Sequence, residues 1–248
     1  MLKFLRRLLP RNPVSVEPVA LQRWADERGH GFRRVRDAAG CVIDGQLAGQ
    51  AWRVEWGTPQ RDYIGGFELR MIAELDLPHQ LMAMVLNRPL MAAMETTVYE
   101  HFVDDVQTRI DTETPPEMRW LVMYTKLGSQ DLGRLRERYG AVCSVQPWLL
   151  QWLGGPLNDA LATTVELVKP DVPVVLTISR GRLTLRTAMP EPDNQQLALW
   201  FSVFEQALHE ASRLGAEWRE AAGGGLTTQP SAWSHSELFR TSGPVSQR

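Results

Sequence analysis

The chain is short of the features that usually announce a function. Cysteine is scarce: only Cys41 and Cys143 occur in 248 residues. They stand far apart in apolar, strand-like surroundings, which favours two reduced, buried thiols in a reducing compartment over a disulfide framework. Neither reads as a nucleophile. No uninterrupted apolar run approaches the roughly eighteen residues of a membrane span. The opening MLKFLRRLLPR sets arginines where a signal peptide needs its apolar region, so the expected location is the cytoplasm. The chain also has no G-x-S-x-G elbow, no P-loop and no G-x-G-x-x-G. Gly223-Gly224-Gly225 follows a helical pattern instead of opening one, and His30, His79, His101, His209 and His235 sit in no catalytic signature. No cofactor is implied.

Charge of one sign is also missing. The 27 basic and 29 acidic residues give a formal charge of −2, and Lys3, Arg6, Arg7 and Arg11 stand in a first stretch of sixteen residues without an acid. The remainder is therefore acidic, which argues against general nucleic-acid binding, a function that needs clustered cations facing phosphates. Residues 1–9 set Leu2, Leu5 and Leu9 on one helical face and the cations on another, before Pro10, Pro13 and Pro18 interrupt. Residues 1–18 thus read as a basic amphipathic tip and Pro-rich linker. Its Lys3, Arg6, Arg7 and Arg11 are candidates for weak, reversible contact with an anionic membrane surface.

What is present is a core. Hydrophobic residues make up 44% of the chain and nine are tryptophan, enough to bury a large apolar interior without staples. The clearest local pattern runs from Val172 to Thr187. If Arg180-Gly181 forms a two-residue turn, Val174, Leu176 and Ile178 fall opposite Thr187, Leu185 and Leu183 on one face. Thr177 then meets Thr184, Ser179 meets Arg182 and Val175 meets Arg186 on a half-wet face. Before it, a short helix is expected over Val19 to Arg28, ended by Gly29. Strands are expected at Phe32–Arg36, Cys41–Asp44, Ala51–Trp56, Phe67–Leu75 and Leu81–Leu86. Trp52 and Trp56 should share a buried face with Leu69 and Met71.

A helix opening at Asn87 and Pro89 carries the stripe Met91, Met94, Val98, Phe102 and Val106. Within an α+β globular region over 19–222, the polar linker Thr108–Pro116 is the candidate boundary between two halves, 19–107 and 117–222, with no residue-level period to establish a repeat. Beyond it, Met118–Leu127 is apolar on both faces and reads as a deep central strand. A helix capped by Ser129 and running to Tyr139, a strand at Ala141–Val145 and a helix from Pro147 broken at Gly154-Gly155-Pro156 are expected next. The last helix is capped by Asp193 with Gln196. Residues 223–248 have the Gly, Ser, Thr and Pro content of a disordered tail. The expected architecture is α+β, a largely antiparallel sheet with amphipathic helices on one side.

Candidate chemistry is sparse. Glu100, His101, Asp104 and Asp105 lie at helical spacing and read as a solvated acidic face before a metal half-site. The loop 57–66, with Arg61, Asp62 and Tyr63, and the linker, with Arg109 and Asp111, concentrate hydrogen-bonding groups and are the candidate binding loops. Arg182, Thr184 and Arg186 read as a polar outer sheet face before an anion site. The expected function is a non-catalytic cytoplasmic binding or interaction module with a protein partner. The alternatives are a membrane-surface adaptor acting through residues 1–11 and a hydrolase or metal enzyme with dispersed site residues.

Overall fold

The computed structural model describes residues 17–36, 39–103 and 115–221 of the chain. The basic tip with Lys3, Arg6, Arg7 and Arg11, the linker residues Arg109 and Asp111, and the tail from Gly223 lie outside the described residues. So do Asp104, Asp105 and the side chain of His101.

Nine strands form one sheet: β1 (Gly31–Arg34), β2 (Gly40–Leu47), β3 (Gln50–Gly57), β4 (Glu68–Glu74), β5 (Met82–Asn87), β6 (Thr125–Lys126), β7 (Tyr139–Cys143), β8 (Val174–Ser179) and β9 (Arg182–Ala188). The spatial order is β1-β2-β3-β4-β9-β8-β5-β7-β6, with each neighbouring pair antiparallel. Hence the β8–β9 hairpin, late in the sequence, sits between two strands from the first half. Among the described residues six α-helices accompany the sheet: α1 (Val19–Asp26), α2 (Arg88–Val103), α3 (Pro116–Met123), α4 (Gln146–Trp152), α5 (Pro156–Leu167) and α6 (Asn194–Ala221).

Strand alternation divides the core in two. Ala83 and Val85 of β5 join a large cluster with Trp52, Trp56, Leu69, Met71, Leu176, Leu185 and the buried stripe of α6. Met82, Met84 and Leu86 point the other way, into a smaller cluster with Val142, Val175, Met91, Met94 and Leu121. Successive side chains of a strand leave opposite faces, so the two clusters lie on the two sides of the sheet. The fold is α+β as the sequence indicates, with one difference in the helical cover. Helices α1, α4, α5 and α6 pack on one face, whereas α2 and α3 cover the β5–β7–β8 end of the other. The sheet is sandwiched where strands are apolar on both faces and left half-wet where they alternate.

Trp56 faces Leu69 and Val54 faces Met71 across β3 and β4, and Trp52, Trp56, Leu69 and Met71 are all buried, as their alternation requires. The break at Gly154-Gly155-Pro156 separates α4 from α5. Asp193 Oδ1 accepts the backbone N–H groups of Gln195 (2.7 Å) and Gln196 (3.2 Å), while the Gln196 amide returns to Asp193 Oδ2 at 3.3 Å. That reciprocal cap supplies orphan donors at the start of α6 with acceptors.

Two expectations fail. Met118–Leu127 is not a central strand: it supplies most of α3 and the two-residue edge strand β6, with Val122 57% and Met123 68% exposed. Pro116 at the first helical position and Glu117 in the first turn are helix-start signals. They outweigh the β-like apolar run, which is ambiguous at that length. Nor does Ser129 cap a helix to Tyr139. Gly133 adopts a left-handed φ of 51°, and only a single 3₁₀ turn, Gly133–Leu135, forms there.

The β8–β9 register is the one read from the sequence, with Ile178 opposite Leu183 and Leu176 opposite Leu185. Arg180 (φ 55°) and Gly181 (φ 72°) are both left-handed, the signature of a type I′ turn. A β-carbon at Gly181 would stand 3.0 Å from the Leu75 carbonyl oxygen. Gly181→Val is therefore expected to destabilise by about 1–2 kcal/mol, lowering Tm by roughly 2–8 °C. Arg180→Ala, which keeps a β-carbon at the same φ, should shift it little. Thermal denaturation of both variants checks this, and equal shifts would refute the strained-turn assignment.

Candidate functional site

A cleft of about 360 Å³ opens between α1, the β2–β3 hairpin and α6. Its walls are built by local sequence. Helix α1 ends where Gly29 takes a left-handed φ of 67°, with Gly29 N–H donating to Asp26 O (3.2 Å) and His30 N–H to Ala25 O (2.9 Å). This pair of bonds is the Schellman motif, and it turns the chain so that His30 follows directly beside β1. The β2–β3 hairpin closes through Ala48 (φ 49°) and Gly49 (φ 83°), which places Gly45 opposite Trp52. A β-carbon at Gly45 would overlap the Trp52 indole, so the ring lies flat over bare β2 backbone. On α6, Ala198, Phe201, Ser202 and Glu205 form a second stripe beside the core stripe at i, i+3, i+4 and i+7.

The floor is aromatic. Trp52 meets Phe201 edge-on at 4.8 Å and His30 at 4.7 Å, and Trp24 meets Phe201 edge-on at 5.1 Å and His30 at 5.4 Å. These are the spacings at which π-systems attract. The Trp24 indole N–H is buried without an acceptor. At the rim, the Arg28 guanidinium lies 4.7 Å above the Trp24 ring, donates to Trp24 O at 3.3 Å and stands 3.6 Å from the Glu27 carboxylate. Burial, then the nearby Arg28 cation, hold the His30 pKa below its ordinary value, so its imidazole is neutral at neutral pH. Among the described residues, the side chains of Gln46, Ser202 and half-buried Glu205 have no hydrogen-bonding or ionic partner.

The loop 57–66 has a different character. It folds over the opposite sheet face and is tied down there. Arg61 Nε lies 3.1 Å from both oxygens of Glu117, which is 3% exposed, and Gln60 N–H donates to Glu68 at 2.7 Å. Asp62 is exposed. Tyr63 packs against the smaller core cluster, with its hydroxyl buried and unpartnered. Burial, then the Glu117 carboxylate, push its pKa well up. A smaller hollow of about 240 Å³ beside this loop is bordered by Glu55, Glu68 and Arg70. Glu55 pairs with Arg70 and Glu68 with Arg186.

The structure therefore brings Arg61 and Tyr63 together with Glu117, and leaves Asp62 in solvent. Arg182 pairs with Glu74 at 2.7 Å and Arg186 with Glu68, so the cations flanking Thr184 are already neutralised. That fits a polar outer sheet face. Glu100 is exposed on α2, and the described residues contain no group of three or more metal-capable side chains. Cys41 and Cys143 are buried and unpaired, with burial pushing their pKa values up to about 12 and about 11. Thiols held protonated in this way are poor nucleophiles. Among the described residues no helix is long and apolar enough to cross a membrane.

The cleft residues escaped sequence reasoning. Trp52 and Phe201 carry the periodicity of core positions, which they also are, and His30 carries none. Gly29 at the helix end and the hairpin turn before Trp52 are the signals that could have located it.

No family model matches the chain, and no curated protein matches it. A solved structure with a limited likeness is the crystal structure of the mycobacterial trehalose monomycolate transport factor A, TtfA. It has a TM-score of 0.46 and 8% identity, covering 78% of this chain and 93% of that one. At that level the likeness carries no functional argument.

Two outcomes test these assignments. A His30 pKa below its unfolded value of 6.5 means the folded state favours neutral imidazole. The associated stability is whole above that value and is lost as pH falls through the lower folded one. His30→Gln should thus flatten the fall in Tm between about pH 7 and about pH 5, and an unchanged slope would refute the assignment. Glu117→Ala leaves Arg61, 22% exposed on its side chain, without a counter-ion. It should destabilise by about 2–4 kcal/mol, with part recovered in the Arg61→Met/Glu117→Met double variant. Urea unfolding of the three proteins measures both effects.

Proposed function

We propose that this chain is a non-catalytic binding protein whose ligand site is the aromatic cleft between α1, the β2–β3 hairpin and α6. The observation that carries the reading is the pairing of an aromatic floor with rim groups that have no partner among the described residues. A volume of about 360 Å³ lies in the range of small-molecule sites, which combine apolar walls with a few polar groups. Three elements distant in sequence converge to build it, and the hairpin contributes a glycine that leaves room for a ring. In the polar loop 57–66, by contrast, Arg61 is already paired with buried Glu117 and Asp62 stands in solvent. The same reading keeps the protein in a reducing, cytoplasmic compartment, which its two buried, unpaired thiols support.

The test is a small-molecule fragment screen read by indole N–H resonances. Bound fragments should shift the Trp24 and Trp52 signals saturably. Gly45→Ala, which forces the Trp52 ring aside, should weaken them about tenfold or more while leaving the far-ultraviolet circular dichroism unchanged. Fragments that bind while leaving both indoles unshifted, or that bind Gly45→Ala equally well, would overturn the reading.

A further inference from the structure

We infer that the ligand of the aromatic cleft is an organic cation, a substituted ammonium carrying an apolar or aryl group; the inference rests on the cleft being the binding site. Aromatic rings present a negative π face and attract cations within about 6 Å of the centroid. This cleft has already drawn one cation on to its wall, since the Arg28 guanidinium lies 4.7 Å above Trp24. Half-buried Phe201 offers further ring surface beside it, with Trp52, 3% exposed, closing the cleft behind.

The charge at the rim points the same way. Arg28 has counter-charge and acceptors of its own in the Glu27 carboxylate at 3.6 Å and Trp24 O at 3.3 Å. Among the described residues Glu205 has neither, although it is half-buried and sits one helical turn beyond Phe201 on the same face of α6. It is the carboxylate of the cleft left without a counter-ion. A partly desolvated anion beside aromatic rings is the arrangement that favours an ammonium group. His30 does not supply the missing positive charge, because its surroundings hold the imidazole neutral. An anionic ligand would face the Glu205 carboxylate and the π surfaces together, and the one cation among the described residues lining the cleft, Arg28, is already shared by Trp24 and Glu27.

The experiment titrates the full chain with benzyltrimethylammonium, benzyl alcohol and benzoate, read by calorimetry and by indole N–H shifts. The cation is expected to bind and to shift Trp24 and Trp52, with benzoate and benzyl alcohol about tenfold weaker or more. Glu205→Gln should weaken the cation about tenfold. Arg28→Gln, which removes a like charge and uncovers the Trp24 face, should tighten it severalfold. Retained Tm values show that neither change acts through folding. Preferential binding of benzoate that Arg28→Gln abolishes would overturn the cation assignment while leaving the cleft as the site. Equal binding of all three probes, or cation binding indifferent to Glu205→Gln, would do the same. If no probe shifts either indole, the inference falls; the fragment screen then separately decides whether the cleft is a site at all.

Discussion

One apolar sheet face, continuous from β2 to β7, is the constraint on which the rest of this structure depends. Ile43, Val54, Met71, Leu185, Leu176, Val85 and Ala141 come from seven strands, and all fall on that face with almost no exposure. Because the side-chain period is two, a one-residue slip in any strand would turn its apolar set outward. Each register is therefore fixed by its neighbours as well as by its own turn. Helix α6 closes the face with Trp200, Phe204, Leu208, Ala211 and Leu214. Burying several large side chains at about 1.5–3 kcal/mol each makes this contact a large contribution to stability.

The aromatic cleft lies where that packing gives out. The core stripe of α6 runs along the sheet, and the neighbouring stripe of Phe201, Ser202 and Glu205 faces α1 and the β2–β3 hairpin. Short elements cannot cover it completely. Trp24, His30 and Trp52 fill the gap with ring edges and leave a hollow. The cleft is thus built on the end of a rigid core, the arrangement that holds binding groups in place without spending their own contacts.

The opposite face solves a different problem. Over β3, β4 and β9 it carries Glu55, Arg70 and Arg186 in directly opposed positions, so two arginines sit side by side across a strand pair. Like charges there repel. Glu55 on one flank and Glu68 on the other neutralise them, and the loop 57–66 closes over the end of this ladder through Arg61 and Glu117. Paired in this way, Arg70, Arg186 and Glu68 are held largely out of solvent and offer little uncompensated charge to a ligand.

Much of this fold was legible in the sequence. Alternation over Trp52–Trp56, Leu69–Ala73 and Val174–Leu185 determined which face is buried, because strand geometry leaves no other choice once the apolar side must leave water. The Arg180-Gly181 pair determined the hairpin register through its count of two residues, and Asp193 with Gln196 determined where α6 begins. Alternation failed over Met118–Leu127, where both faces are apolar and a helix and a strand would bury similar surface; the Pro-Glu start settled the matter. What the tertiary structure alone decided is the strand order, with a late hairpin inserted between β4 and β5, and the side on which α2 packs. Both depend on contacts between residues far apart in the chain, which no local period records. The cleft belongs to the same class: Trp24, His30, Trp52 and Phe201 read singly as core or as nothing, and only the convergence of α1, the β2–β3 hairpin and α6 makes them a surface.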